Sequence, residues 1–219
     1  EPLISDRVGW RANVRRIVAQ LVSSQPMAAQ VVAFRNVEQA PVLVYQTETV
    51  QISVTQTPGE RPGAIAEEAR PLGAVQGMRH HYLRSDPARL AAELREAGLR
   101  YDSSIGWPSR PGLRAGTPYP YRLWDAERRE PGAWQLPLVL MDATLAEERY
   151  LGLEARAAYE AAVAALEPVA EHGGAVAILW HPPSHHPRLS NGYDRLYERL
   201  LAWIDEQGGW AGSAAETLD

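Results

Sequence analysis

Two short apolar runs that end abruptly on an ionisable residue constrain this chain more than any other feature. Leu136–Met141 (LPLVLM) leads straight into Asp142, and Ala175–Trp180 (AVAILW) leads straight into His181. Each is too short for a core helix and too uniformly apolar for a strand with one wet face. Both therefore read as strands buried on both sides. Between them Glu154–Glu171 has helical spacing, with Pro168 expected to strain or break the helix and His172-Gly173-Gly174 to stop it.

The same alternation extends in both directions. Ala64–Arg70 reads as a short helix and Ala74–Met78 as a strand ending at Arg79-His80-His81-Tyr82. Asp86 is placed to cap a helix over ARLAAELREA, with Pro87 at its first position and Gly98 just past its end. Leu99–Tyr101 is a short strand ending at Asp102, and Ser103–Arg122 is a loop too rich in Gly and Pro for regular structure. Asp194–Glu206 is the last clear helix, and Gly209–Gly212 is a candidate short strand. Helices alternating with buried strands imply a mostly parallel sheet covered on both faces, either open or closed into a barrel. In both cases ligands bind beyond the carboxyl ends of the strands, where Arg79, His81, Asp102, Asp142 and His181 are expected to converge.

Residues 1–60 are compositionally different from residues 61–219. They hold no His, only one Asp (Asp6), and seven of the ten Gln. Val14–Val22 has helical spacing, while Ala29–Phe34, Pro41–Tyr45 and Thr49–Thr55 read as strands. The turn-rich stretch Gln56–Gly63 is the expected boundary.

Composition then excludes several function classes. A formal charge of −5, with every positive residue an Arg, gives no general field for nucleic acid. With no Cys, thiolate metal sites, disulfides and thiol nucleophiles are absent, leaving His and carboxylate chemistry. No run reaches the length of a membrane span, and EPLISDRVGW lacks the order of a signal peptide. The expectation is a soluble, cytoplasmic chain with no membrane partner, with an export signal ahead of Glu1 left open.

Each candidate residue carries two readings. His181 suits a general acid or base, or a capping histidine; Asp142 suits a catalytic group or a helix cap. Asp102 could bind a metal, pair with Arg79, orient a His or simply form a turn, as Asp and Ser after a strand often do. Arg79 and His81, two apart, would share a face if the strand continued past His80. His185 and His186 join His80, His81 and His181 to put five of the six histidines in two strand-end loops, an arrangement that also admits a metal site. Trp107, Tyr119, Tyr121 and Trp124, interspersed with Arg110, Arg114 and Arg122, suit stacking on sugars or a loop pinned by its own aromatics.

The ordered set GMRHHYLR, YDSSIGWPSRPGLRAGTPYPYRLWD, LPLVLMDATL, VAILWHPPSHH and GGWAGSAAE resembles the later portion of polysaccharide deacetylases of the NodB-homology class. The resemblance covers Gly63 to the C-terminus. It implies a distorted or incomplete (β/α) barrel with an atypical N-terminal part, and removal of acetyl groups from N-acetylated sugars. It further implies a divalent metal such as zinc, held by one Asp and two His. Leu179-Trp180-His181 corresponds to the family's late leucine-any-histidine motif, making His181 the acid that protonates the leaving amine. Arg79 matches the arginine that holds a catalytic aspartate. His81, Tyr82, Trp107, Arg114, Trp180 and His185 would line the sugar site, with Asp102 and Asp142 completing the polar centre.

The chain departs from that pattern upstream. The paired Asp and the histidine pair expected before Arg79 are missing: the first histidine is His80 and the only earlier Asp is Asp6. Replacement of residues 1–60, a frame shift or assembly error, and a metal-free relative each account for this. Three functions follow as expectations: a carbohydrate deacetylase-like hydrolase, a non-catalytic carbohydrate-binding or scaffold protein, and another metal-dependent hydrolase using the His clusters.

Overall fold

In a computed structural model the described residues are 29–34, 43–46, 49–52, 76–181, 184, 190–209 and 214–218. The expected helices Val14–Val22 and Ala64–Arg70, and residues His185 and His186, lie outside them, as does the expected strand Gly209–Gly212 apart from its first residue. Nine strands are described: β1 (Ala29–Phe34), β2 (Leu43–Gln46), β3 (Thr49–Ile52), β4 (Gly77–His80), β5 (Tyr101–Asp102), β6 (Tyr121–Asp125), β7 (Glu130–Gln135), β8 (Leu138–Met141) and β9 (Gly174–Leu179). The helices are α1 (Leu90–Glu96), α2 (Asp142–Ala146), α3 (Ala155–His172), α4 (Tyr193–Glu206) and α5 (Ala214–Leu218).

The strands form two sheets, ordered β2-β1-β9-β8 and β3-β4-β5-β7-β6. In the second, β3, β4, β5 and β7 are parallel and β6 returns antiparallel on β7. In the first, β8 and β9 are parallel, while β1 runs antiparallel to β9 along its whole length. The sheets meet at Leu136-Pro137. Leu136 N–H donates to Asp102 O (2.8 Å), and Pro137 O accepts from Ala177 N–H (2.6 Å). Successive residues of an extended chain bond to opposite sides, so β5 and β9 flank this one segment. The parallel order β3-β4-β5-β7/β8-β9 therefore continues across the seam. Among the described residues no pairing joins β2 to β3, and no barrel closes.

Strands from both sides of the Gln56–Gly63 junction share these sheets, since β1 pairs β9 and β3 pairs β4. Three elements differ from the sequence expectation. The stretch read as loop and left unassigned contains the β6–β7 hairpin, and α3 runs unbroken through Pro168. The missing N–H at Pro168 costs α3 one bond without ending it, and the stop comes where Gly173 and Gly174 take φ of +79° and +139°. The cap expected at Asp86, with Pro87 first in the helix, is a lead-in turn instead: Asp86 accepts Ala88 N–H on its carboxylate (3.0 Å), α1 begins only at Leu90, and Gly98 follows its end at φ +69° as expected.

Alternation along the strands divides the core. Val176, Ile178 and Trp180 pack against Leu166 and Val169 of α3 and Leu196, Leu200 and Ile204 of α4. Ala175, Ala177 and Leu179 belong to a second cluster with Tyr101, Leu136, Leu138 and Ala214. Met78 packs against Leu90 and Leu94 of α1. At Gly77 any side chain is excluded, because a Cβ would stand 2.0 Å from the Tyr101 ring.

Candidate active site

The carboxyl ends of β4, β5, β8 and β9 carry Arg79, Asp102, Asp142 and His181, and their best-defined contact is between the last two. His181 Nδ1 lies 2.5 Å from Asp142 Oδ1, and the His181 backbone N–H donates to Asp142 Oδ2 (2.9 Å). Asp142 also accepts Ala143 N–H (2.8 Å) and the Ser184 hydroxyl. A carboxylate can only accept, so Nδ1 carries the proton and Nε2 is left to meet a ligand. Asp142 is 1% exposed, whereas the His181 side chain is 26% exposed. Asp142 is the first residue of α2, whose N-cap is Met141, so it does not take the capping position; its carboxylate fixes the imidazole.

Burial disfavours the imidazolium of His181, but the hydrogen bond and charge of Asp142 outweigh it and hold the pKa above 6.5. Glu147 adds to the rise and Arg79 opposes it. A raised pKa means the folded state binds this proton more tightly than the unfolded chain. Its stabilising contribution is complete below pH 6.5 and is lost as pH rises through the folded value. Denaturant unfolding between pH 6 and 9 is expected to show native stability falling relative to Asp142→Asn. Parallel profiles would mean that the pair carries no linkage.

Ser184 is a partner the sequence reading passed over, although it stands inside HPPSHH. Its hydroxyl is bonded to Asp142 and not to the imidazole, so the trio lacks the nucleophile-to-base contact of a serine hydrolase. It acts as a further clamp on the carboxylate.

Asp102 takes the turn-former's role. It is 0% exposed and accepts Ser104 N–H (2.6 Å) and the Ser104 hydroxyl (2.5 Å). Burial pushes its pKa up to about 6 against the opposing pull of Ser104, Arg79 and Gln135. Ser104 Oγ also accepts the His80 N–H (2.8 Å), tying β4 to β5. His80 is buried, its Nε2 has no hydrogen-bond partner among the described residues, and desolvation lowers its pKa to about 4. Arg79 is 1% exposed, with Nε donating to Ser103 O (3.0 Å) and Nη2 to Ser103 Oγ (2.5 Å); desolvation lowers its pKa to about 10.

The expected shared face of Arg79 and His81 does not form, because β4 ends at His80 and His81–Leu83 is a 3₁₀ turn. Tyr82 and Leu83 there adopt φ of +57° and +55°, a costly conformation for such side chains. Tyr82 is half-exposed, with its ring 4.2 Å from His81 and 5.3 and 5.8 Å from the guanidinium carbons of Arg84 and Arg149.

Trp180 is corrected from sugar contact to core. It is 0% exposed, with its ring 6.1 Å from Tyr193 and 5.2 Å from Tyr197, because neighbours on an extended chain point oppositely and His181 takes the site side. Trp107 is covered by its own loop, with Arg110 and Arg114 at 4.4 and 5.1 Å, and Arg114 also reaches Gly106 O (3.3 Å). Gly112 N–H on Val139 O (2.8 Å) and Thr144 Oγ1 on Pro108 O (2.9 Å) pin that loop along β8 and α2.

Among the described residues no group of three His, Cys, Asp or Glu side chains stands close enough to hold a metal. The ligand set implied by the resemblance thus has no counterpart there. No helix among them is long and apolar enough to cross a membrane. A groove of about 460 Å³ at the opposite ends of β5 and β7 is lined by Arg95, Arg100, Arg122, Arg128 and Trp134. Arg95 there is paired with Asp125 and Glu127, and Arg122 with strand carbonyls. No family model, no curated protein and no solved structure matches the chain.

Proposed function

We propose that this chain is a carbohydrate deacetylase-like hydrolase, acting on the amide of an N-acetylated sugar, on an incomplete (β/α) barrel. The observation that carries the reading is the Asp142–His181 pair: a partly exposed imidazole at a strand end, its Nδ1 held at 2.5 Å by a buried carboxylate. The continuous parallel order β3-β4-β5-β7/β8-β9 and the chain order of the polar strand ends support the barrel.

Amide hydrolysis requires such a group because an amine anion is a poor leaving group. Water adds to the acetyl carbon and gives up a proton to solvent, and the C–N bond then breaks readily only as the nitrogen gains a proton. His181 Nε2 supplies that proton, and the Asp142 carboxylate stabilises the imidazolium that holds it beforehand. After the step the amine and acetate leave, and the imidazole recovers a proton from solvent.

Acetate release from N-acetylglucosamine oligomers, with and without added zinc, tests the reading. The native chain is expected to release acetate, and His181→Ala to lose about 10²–10⁴-fold in rate while retaining oligomer binding. Unchanged release by His181→Ala contradicts the assignment. Sugar binding without turnover is the second reading; Tyr82 favours it, a strained and half-exposed aromatic bracketed by two guanidiniums. Oligomer binding with no release from the native protein would select it.

A further inference from the structure

The groove of about 460 Å³ lies between the turn after α1 and the β6–β7 hairpin. Four arginines line it against two carboxylates, Asp125 and Glu130, in a chain whose net charge is −5. Two of the four are committed, Arg95 to Asp125 and Glu127, and Arg100 to Gln76 (2.9 Å). Arg122 is held differently. Its guanidinium donates through Nε to Gly132 O and through Nη2 to Pro131 O (3.4 Å), and its central carbon stands 5.1 Å from the centre of the Trp134 ring. Backbone carbonyls and an indole thus fix the planar fork without neutralising it, and among the described residues no carboxylate pairs with it. Arg128 is 62% exposed, with Glu130 3.9 Å away, beyond hydrogen-bond reach. On the same solvent face of β6, two residues past Arg122, Trp124 is 60% exposed and lies across the hairpin from Pro131 at the edge of the groove.

We infer that this groove is a second, non-catalytic site that binds an acidic saccharide, a sugar chain carrying carboxylates. A guanidinium already held in plane loses little freedom on bonding a carboxylate, and Arg122 keeps Nη1 for that bond. The exposed face of Trp124 gives a sugar ring an apolar surface to lie on. One fixed and one exposed guanidinium, with carboxylates close by, are too few for the regular phosphates of a nucleic acid. They match a chain whose charges are a whole sugar ring apart. The inference goes beyond the hydrolase reading, and the groove shares no residue with the Asp142–His181 site.

Titration calorimetry of the whole chain with galacturonic-acid oligomers tests it, against polyphosphate and a single-stranded oligonucleotide at constant ionic strength. The galacturonate oligomers are expected to bind saturably and more tightly than either polyanion. Arg122→Met is expected to weaken them about tenfold or more, the worth of a charge-assisted hydrogen bond. Trp124→Ala should weaken them severalfold, and His181→Ala not at all. Both Arg122 and Trp124 are exposed, so their variants keep the fold. Arg122→Lys retains the charge and should still bind severalfold more weakly, because it loses the fork and its stacking on Trp134. Absence of galacturonate binding overturns the inference, as does binding that is unchanged in Arg122→Met and Trp124→Ala, lost in His181→Ala, or matched by polyphosphate or the oligonucleotide. Galacturonate binding without acetate release from N-acetylglucosamine oligomers upholds the groove and removes the hydrolase. Acetate release without galacturonate binding does the reverse.

Discussion

Asp142→Asn is expected to lower the turnover of acetylated sugar by about 10²–10⁴-fold, the range set by the loss of a working general acid. The substitution changes few atoms and so isolates the charge. In the native chain the carboxylate accepts from His181 twice, from Ala143 and from Ser184. An amide at that position turns one acceptor into a donor facing those donors, and His181 loses the group that keeps the proton on Nδ1. Burial, which lowers the His181 pKa, is then unopposed by the adjacent charge, so less of the imidazole is protonated at neutral pH. A steady-state comparison should show the loss in kcat, with oligomer affinity little changed. An effect below about fivefold, well under the usual contribution of general acid catalysis, would mean that the pair does not carry proton transfer.

The second large effect concerns the support beneath the pair. Trp180→Ala is expected to destabilise the chain by about 3–5 kcal/mol, read from urea or guanidinium unfolding. Trp180 is 0% exposed, packed on Tyr193 and Tyr197 of α4, within the cluster that also holds Leu166 and Val169 of α3. Truncation leaves a cavity that strands and helices anchored on both sides cannot readily fill. Trp180→Phe keeps an aromatic ring there and should recover a large part of the loss. Activity should follow stability, because Trp180 sets the end of β9 from which His181 projects. A cost below about 1 kcal/mol, far under the usual range for a buried tryptophan, would mean that β9 and α4 are not packed as described.

These two residues also show what could be read from the sequence. The run ending at Trp180 and His181 was legible because an uninterrupted apolar stretch between helices has few alternatives to a buried strand. Period-two alternation alone would have turned Trp180 to the helix side once His181 was given to the site; the sugar-contact reading followed the resemblance instead. The β6–β7 hairpin was hidden because only one face of it is buried, around Leu123, Asp125 and Gln135. Arg122, Trp124, Glu130 and Pro131 face solvent, so neither an apolar run nor a clean alternation marks it. His81 was misplaced by extending the strand one residue past His80, and the positive φ values at Tyr82 and Leu83 have no signature in side chains of that kind. The strands β1, β2 and β3 were legible as strands. Their partners were not, because antiparallel pairing of β1 with β9 depends on contacts far apart in the chain.

The polar centre divides in the same way. Asp142 and His181 were legible as strand-end residues, but their hydrogen bond depends on β8 and β9 lying side by side. Asp102 and Ser104 close a turn, one of the roles that short-range chemistry left open for Asp102. Ser184 is separated from Asp142 by α2, α3 and β9, and only the fold brings its hydroxyl to the carboxylate.

The central claim is that Asp142 fixes the tautomer of His181 and raises its pKa, and long-range ¹H–¹⁵N spectra of histidine-labelled protein measure both. Above its midpoint the native His181 ring should carry its proton on Nδ1. Its titration should be centred above pH 6.5, and Asp142→Asn should move that midpoint down. A neutral ring protonated on Nε2, or a midpoint that is the same in both proteins, would contradict the account.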